Sequence, residues 1–230
     1  MRLDFFVAST SGLSRKEAKR AISAGRVLVD NVPCTRANTS VCETRQIALD
    51  GTPLVLPGAR YLMLNKPAGV VSATRDGEHA TALDLLPAQW RAGLHIVGRL
   101  DRDTTGLLLL TDDGQWSHRV TSPRIECPKT YRAWLAEPVS PAMLEQLAEG
   151  VLLKNDPKPT RPAEVRQLAE RIIELTITEG RYHQVKRMLA AVGNHVTGLH
   201  RSRIGGIILD PALAEGDYRA LTADEIASVG

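Results

Sequence analysis

Cysteine is scarce. Among 230 residues only Cys34, Cys42 and Cys127 occur, and no two of them form a CxxC pair. With no signal peptide ahead of them, they are expected as reduced thiols in a cytosolic protein. Long apolar runs are missing too, so no segment is expected to cross a bilayer and no membrane partner is expected. The chain has no GxxxxGK(S/T) phosphate loop, no GxGxxG opening a helix, no HExxH and no GxSxG elbow. These absences exclude the chemistries those motifs carry. The six histidines are scattered; the closest pair, His195 and His200, has odd spacing on a candidate strand and so points to opposite faces. A joint metal site is not expected there. Carboxylates, tyrosines and basic side chains remain, a chemistry that needs no metal or organic cofactor.

What is present is ordinary in bulk and uneven in detail. Apolar residues make up 43% and charged residues 24%, as in a globular protein, and the length suits one large or two unequal domains. The net charge of +3 resides entirely in residues 1–57, where eight basic side chains face five acidic ones. Residues 58–230 are expected as the second domain. Such an asymmetry favours an anionic partner for the first segment, against the alternative of a merely solvated face.

Spacing sharpens that reading. In SGLSRKEAKRAISAGRV, Ser14 and Glu17 form a capping-box signature, and Gly25 suits a helix end. The pattern predicts a helix over Arg15–Ser23 with Ala18, Ala21 and Ile22 inward. Arg15, Lys16, Lys19 and Arg20 then form one basic stripe, with Arg26 just beyond. Four cations on so short a helix repel one another unless phosphates neutralise them, which makes nucleic acid the expected partner. A strand at Arg26–Val29, a turn at Asp30-Asn31 and a strand near Gln46–Leu49 follow. GTPLVLPGAR, residues 51–60, reads as a linker.

Beyond it, strands are expected at Tyr61–Asn65, Val70–Ala73, Leu94–Val97, Leu107–Thr111, Lys129–Leu135 and Ile172–Thr178. Helical segments are expected at Thr81–Leu86, Gln115–Thr121, Pro141–Glu149 and Tyr182–Val192. KNDPKPTRP, residues 154–162, reads as a surface loop inside the domain. Without regular βαβ alternation this is α+β, with a largely antiparallel sheet.

GRLDRDTTGLLLLT, residues 98–111, places two carboxylates, Asp101 and Asp103, and two arginines at the mouth of an uninterrupted leucine run. Such a run reads as a strand buried on both faces, so the charged turn before it lies where the sheet meets solvent or a ligand. An isolated Asp101 here would more simply cap a turn or pair with Arg99. Asp103 is expected to hold the turn with Arg102 or Thr105, and Gly106 to let the backbone bend closely into the strand.

Two family resemblances rest on these residues. MRLDFFVA…SGLSRKEAKRAISAGRVLVDN…IALDG resembles an S4-type RNA-binding domain, although Phe5 stands where many such domains carry lysine. NKPAGVVSA, GRLDRDTTGLLLLT, KTYRAWL, EGRYHQVKRM and GNHVTGLHRSRIGGIIL together resemble the bacterial RsuA-type pseudouridine synthases, over nearly the whole chain. The resemblance implies a cofactor-free, monomeric, cytoplasmic isomerase. Its implied substrate is a uridine in the 5′ domain of 16S ribosomal RNA, within a small-subunit assembly intermediate. It assigns Asp101 as the catalytic carboxylate, Tyr131 as the active-site tyrosine, and Lys186 as the basic partner of that carboxylate. Leu199 matches the aliphatic wall of the base site. Arg99, Arg201 and Arg203, and more weakly His183, are candidate substrate contacts. Bland alternatives stand beside each: core packing for Tyr131 and Leu199, a solvated helix lysine for Lys186. Whole-protein alternatives are a non-catalytic S4-type assembly factor, a related synthase acting on 23S RNA, and a small-molecule N-glycoside hydrolase.

Overall fold

A computed structural model describes residues 1–42, 45–55 and 58–229, and the chain divides into two compact units, Met1–Gly58 and Ala59–Gly230. In the first, helix α1 (Leu3–Ser11) buries Leu3, Phe6 and Val7 and stops at Gly12, whose φ of 74° is left-handed. Helix α2 (Arg15–Ser23) carries the full capping box: the Ser14 side chain accepts from Glu17 N, and Glu17 bonds back to Ser14. Ala18, Ala21 and Ile22 are buried as the spacing requires. Strands β1 (Val27–Val29) and β2 (Val32–Pro33) are joined by Asp30 and Asn31, with φ of 50° and 65°. Strands β3 (Ile47–Leu49) and β4 (Thr52–Leu54) are joined by Asp50 and Gly51, with φ of 50° and 79°. Two consecutive positive φ values mark the tight hairpin turns whose twist matches flanking strands. The expected linker at 51–60 is therefore corrected in its first part, because the Asp50-Gly51 turn folds Thr52–Leu54 back onto β3. Leu56 and Pro57, also in that linker, lie outside the described residues, as do Glu43, Thr44 and Gly230.

The second unit opens with β5 (Tyr61–Lys66), a 3-10 turn (Ala82–Leu85) and α3 (Ala88–Arg91). Next come β6 (His95–Val97), β7 (Thr105–Thr111), α4 (Gly114–Thr121), β8 (Lys129–Leu135) and α5 (Pro141–Glu149). The chain continues through β9 (Glu164–Ala169), β10 (Ile172–Ile177), α6 (Gln184–Ala191) and β11 (Val196–Ile204). It ends with β12 (Ile207–Ile208), β13 (Tyr218–Ala220) and α7 (Ala223–Ala227). The strands form one sheet in the order β13-β5-β7-β11-β8-β10-β9, with β12 on β11 and β6 on β7. Its pairings are antiparallel except β7–β11.

The leucine run lies in β7 and is buried on both faces. Leu108 and Leu110 join one apolar core with Leu62 and Leu64 of β5, while Leu107 and Leu109 join the other with Met63 and Trp116. All four leucines have no exposure. Alternation sends neighbours to opposite faces, and both faces are covered.

Two expected elements differ. Val70–Ala73 is no strand: only an isolated bridge, Val71 to Thr81, forms there, and Ser72 spends its hydroxyl on Leu100 instead. The helix expected from Tyr182 starts at Gln184, because His183 takes a left-handed conformation, φ 47°, that ends the preceding turn.

Candidate active site

One edge of β7 pairs with β5 along its length, but the other edge changes partner. Thr105 and Gly106 pair with β11, whereas Leu109–Thr111 pair with β6. At the split, the Arg201 guanidinium fills the gap. Its Nε donates to Leu107 O at 2.9 Å, and its terminal nitrogens donate to Gly98 O at 2.9 Å and to Arg99 O and Tyr131 Oη at 3.4 Å. Arg201 is 2% exposed. Its expected role as a phosphate contact is corrected: its donors are spent on carbonyls and a phenol, and it buttresses the loop that starts β7. Gly106 permits the close approach here. Its φ is 98°, and a Cβ would lie 2.3 Å from Arg201 O.

The loop Gly98–Thr104 crosses this gap and carries Asp101. It is pinned from several sides. The Ser72 hydroxyl donates to Leu100 O at 2.8 Å and accepts from Leu100 N at 3.0 Å. The fully buried Lys66 ammonium donates to Thr104 O and Pro67 O at 2.8 Å and to Arg102 O at 3.3 Å. Gly69 N donates to Arg102 O, and Thr104 N closes a turn onto Asp101 O. The Arg102 guanidinium meets His79 Nε2. NKPAGVVSA, expected to place strands on both sides of a turn, is thus the clamp of the loop that carries Asp101. Burial pushes the Lys66 pKa down to about 8, against the opposing pull of Asp103 and Asp101.

Asp101 sits in a cleft of about 280 Å3 with Arg99, Tyr131, His183, Lys186 and Leu199 along its lining. Lys186, on α6, lies 3.0 Å from Asp101 and 2.6 Å from Asp103, and His183 Nε2 lies 3.3 Å from Asp101. The expected turn-holding role of Asp103 is corrected by this: its partner is Lys186, which lowers its pKa. Burial opposes the charge on Lys186, but its hydrogen bonds to Asp103 and Asp101 outweigh that and raise its pKa. Asp101 and Asp103 therefore share one firmly protonated ammonium. α6 is held in place through Val185, Met188 and Leu189, all buried. Arg187 and Arg181 both bind Asp156, tying the 154–162 loop to the rim of the cleft.

Tyr131 is 9% exposed; it belongs to the core and lines the cleft as well. Leu199, 7% exposed, does the same. The exposed Tyr182 ring stacks on His183, with centroids 3.8 Å apart. Arg203 is exposed and donates to Gly205 O, apart from the residues lining the cleft. Among the lining residues that sequence reasoning missed, Thr104 and Lys129 stand out. Thr104 is 1% exposed, and its hydroxyl has no hydrogen-bond partner. Lys129 stands two residues before Tyr131 on β8, a spacing that itself marks a shared face.

The basic stripe in the first unit is partly neutralised. Asp4, with no exposure, takes Arg2 at 3.0 Å, Arg15 at 3.3 Å and Lys19 at 3.8 Å. Burial alone would raise the Asp4 pKa; the bonds from Arg2 and Arg15 prevail and lower it. Arg26 pairs with Asp50. Lys16 and Arg20 are exposed and, among the described residues, have no carboxylate within 4.0 Å. The mutual repulsion expected along the stripe is thus relieved by a buried acid, and two of its four cations remain open.

Comparison with known proteins agrees with this geometry. Residues 60–191 match the RNA pseudouridylate synthase family, and residues 1–47 match the S4 domain. The chain is 53% identical over 232 residues to the ribosomal small subunit pseudouridine synthase A of Escherichia coli (strain K12), covering 100% of each. It is 50% identical over 229 residues to the protein of that name from Vibrio cholerae, covering 100% of this chain and 99% of that relative. A crystal structure of a pseudouridylate synthase, 44% identical, superposes with a TM-score of 0.73 over 99% of both chains. An S4 segment, an α+β sheet enclosing a carboxylate–lysine cleft, and full-length identity at this level make the chain a member of the RNA pseudouridylate synthase family.

Proposed function

We propose that this chain converts one uridine of 16S small-subunit ribosomal RNA to pseudouridine, with Asp101 as its catalytic carboxylate. The reaction breaks the N1–C1′ glycosidic bond, turns the uracil, joins C5 to C1′, and exchanges the C5 proton for one taken up at N1. No atoms are gained or lost. C1′ becomes electron-poor as the bond breaks, and an ionised carboxylate beside it serves as nucleophile, electrostatic stabiliser or base. The observation that carries the reading is the placement of Asp101, in the cleft and within 3.0 Å of Lys186. A cation at that distance pairs with the carboxylate and holds it in place within the cleft.

A base inside structured RNA must leave its stack to reach the cleft. The Tyr131 ring provides a surface that replaces part of the lost stacking, and Leu199 walls the opposite side. Arg99 and His183 are the substrate-facing donors in this reading. The S4 segment supplies affinity through Lys16 and Arg20. The substrate is taken as 16S RNA in a small-subunit assembly intermediate, and the working form as a cytoplasmic monomer. No described helix is long and apolar enough to cross a membrane.

The test is chemical mapping of pseudouridine in 16S and 23S RNA incubated with the parent protein and with Asp101→Asn. The parent is expected to modify one 16S site, and Asp101→Asn to bind the RNA without turnover. Pseudouridine formed by the pure variant overturns the assignment of Asp101. Binding without turnover by the parent favours a non-catalytic assembly factor.

A further inference from the structure

Five lysine and arginine side chains line the cleft: Arg99, Lys129, Arg181, Lys186 and Arg201. Three are already engaged. Lys186 is shared by Asp101 and Asp103, Arg181 holds Asp156 and Glu179, and Arg201 is buried against carbonyls and the Tyr131 hydroxyl. Lys129 differs. It begins β8, its register partners are Ile177 on β10 and Ile204 on β11, and both are buried. Its ammonium donates to Cys127 O at 2.7 Å, and no described carboxylate lies within 4.0 Å. One of three donors is satisfied, and the residue is only partly buried.

An ammonium half-withdrawn from water without a counter-ion destabilises the empty site and is compensated by any anion that enters. Burial is the main cause of its lowered pKa; the Cys127 thiol opposes that shift and the Arg201 guanidinium adds to it. The substrate brings such an anion. A nucleotide extruded from RNA carries a phosphate on each side of its sugar, and the uracil itself is neutral at physiological pH. Lys129 and Tyr131 lie on the same face of β8.

We infer that Lys129 holds a backbone phosphate adjoining the target uridine, setting the sugar beneath Asp101 while Tyr131 stacks on the base. This rests on the reading of the chain as a pseudouridine synthase and assigns the phosphate to Lys129 in place of Arg201. Lys129 is a substrate-positioning residue in this account.

The experiment uses the full chain and a stem-loop RNA containing the modified 16S site. Lys129→Gln and Lys129→Arg are compared with Arg166→Gln, which removes an exposed cation on the edge strand β9. Kd is measured across a salt series. Lys129→Gln is expected to weaken binding about 10- to 100-fold, the range of a charge-assisted hydrogen bond. The slope of log affinity against log salt should shrink by about 0.7. Lys129→Arg should keep the parental slope, which a loss of packing or fold would not allow, and Arg166→Gln should leave the slope unchanged. A single neutral methylphosphonate, placed 5′ or 3′ of the target uridine, should weaken the parent at one position and leave Lys129→Gln binding no weaker there.

A parental slope in Lys129→Gln, or methylphosphonate losses as large in that variant as in the parent at both positions, overturns the inference. Turnover by the parent protein is read in parallel on the stem-loop, on 16S RNA and on a small-subunit assembly intermediate. A parent that makes no pseudouridine overturns the functional reading instead, so the two failures are distinct.

Discussion

Replacing Lys66 by methionine separates two effects that the structure couples. The ammonium has no exposure, and its pKa drops from 10.5 to about 8. At about 1.36 kcal/mol per pH unit, that drop corresponds to roughly 3 kcal/mol of unfavourable burial while the group is charged. Below pH 8 both folded and unfolded chains are protonated, so the fold bears this cost in full. Between about 8 and 10.5 the folded chain releases the proton and the unfolded chain keeps it. The unfolded state then binds more protons, and stability rises with pH. Methionine cannot titrate. Parent and Lys66→Met should therefore diverge over that interval by about 3 kcal/mol, the parent gaining.

At pH 7 the substitution removes the burial cost but strips donors from Pro67 O and Thr104 O, while Arg102 O keeps Gly69 N. Two orphaned carbonyls destabilise by about 1–3 kcal/mol each, so the net change at pH 7 stays within about 3 kcal/mol of the parent. Activity should suffer more than stability, because Thr104 belongs to the loop that aims Asp101 and Pro67 to the segment that clamps it. A misplacement of about 1 Å costs on the order of a hundredfold in rate. The assays are urea unfolding from pH 6.5 to 10.5 and single-turnover pseudouridine formation at pH 7. Parallel stability curves, or an unchanged rate, would refute the account of Lys66.

Tyr131→Phe keeps the ring and should retain far more activity than Tyr131→Leu, since base–aromatic stacking is worth about 1–3 kcal/mol per base. Equal and complete loss in single-turnover assays would instead implicate the hydroxyl that accepts from Arg201. In the first unit, replacing Lys16 and Arg20 together by glutamine should flatten the salt dependence of RNA binding by about 1.4–1.8. Replacing Arg15 and Lys19 should chiefly lower the melting temperature, because Asp4 loses two of its three cations. A flat response to the first pair would leave the stripe as a solvated face.

Much of the fold was legible because local chemistry and burial agree. Ser14 and Glu17 make the cap that their spacing announces, and the helix they start ends at Ser23 as read. Lys129–Leu135 alternates and is a strand over that span, and Ser140-Pro141 starts a helix where a capping serine and an N1 proline should. Helix α1 was not legible in MRLDFFVAST: its apolar stripe is short, and its N-cap residue, Arg2, makes no capping bond. The strand expected at Val70–Ala73 failed for a different reason. Its β-branched residues satisfy a propensity, but Val71 N and O pair locally with Ala80 and Ala82, leaving no edge for a ladder.

The site shows where a pattern of charges stops being informative. Family resemblance, carried by GRLDRDTTGLLLLT, KTYRAWL and EGRYHQVKRM, singled out Asp101, Tyr131 and Lys186, and the fold brings all three to one cleft. The resemblance could not rank the cations, since the work of a lysine or arginine depends on which acceptors the fold brings to it. Arg201 and Lys129 look alike in a sequence, yet a sheet edge that exchanges β11 for β6 leaves carbonyls that only a forked guanidinium spans. The ammonium at 129 instead finds one carbonyl and keeps donors in reserve. The same logic governs Asp103, which is 74% exposed and which its position in the turn assigns to Arg102 or Thr105. Sharing Lys186, it adds a second negative charge beside Asp101 and helps hold that lysine protonated. In the proposed reading, a substrate arriving at this cleft meets Lys186, already matched to Asp101, and Lys129, with no described carboxylate beside it. The first is held between Asp101 and Asp103, and the second is left to bind the RNA backbone.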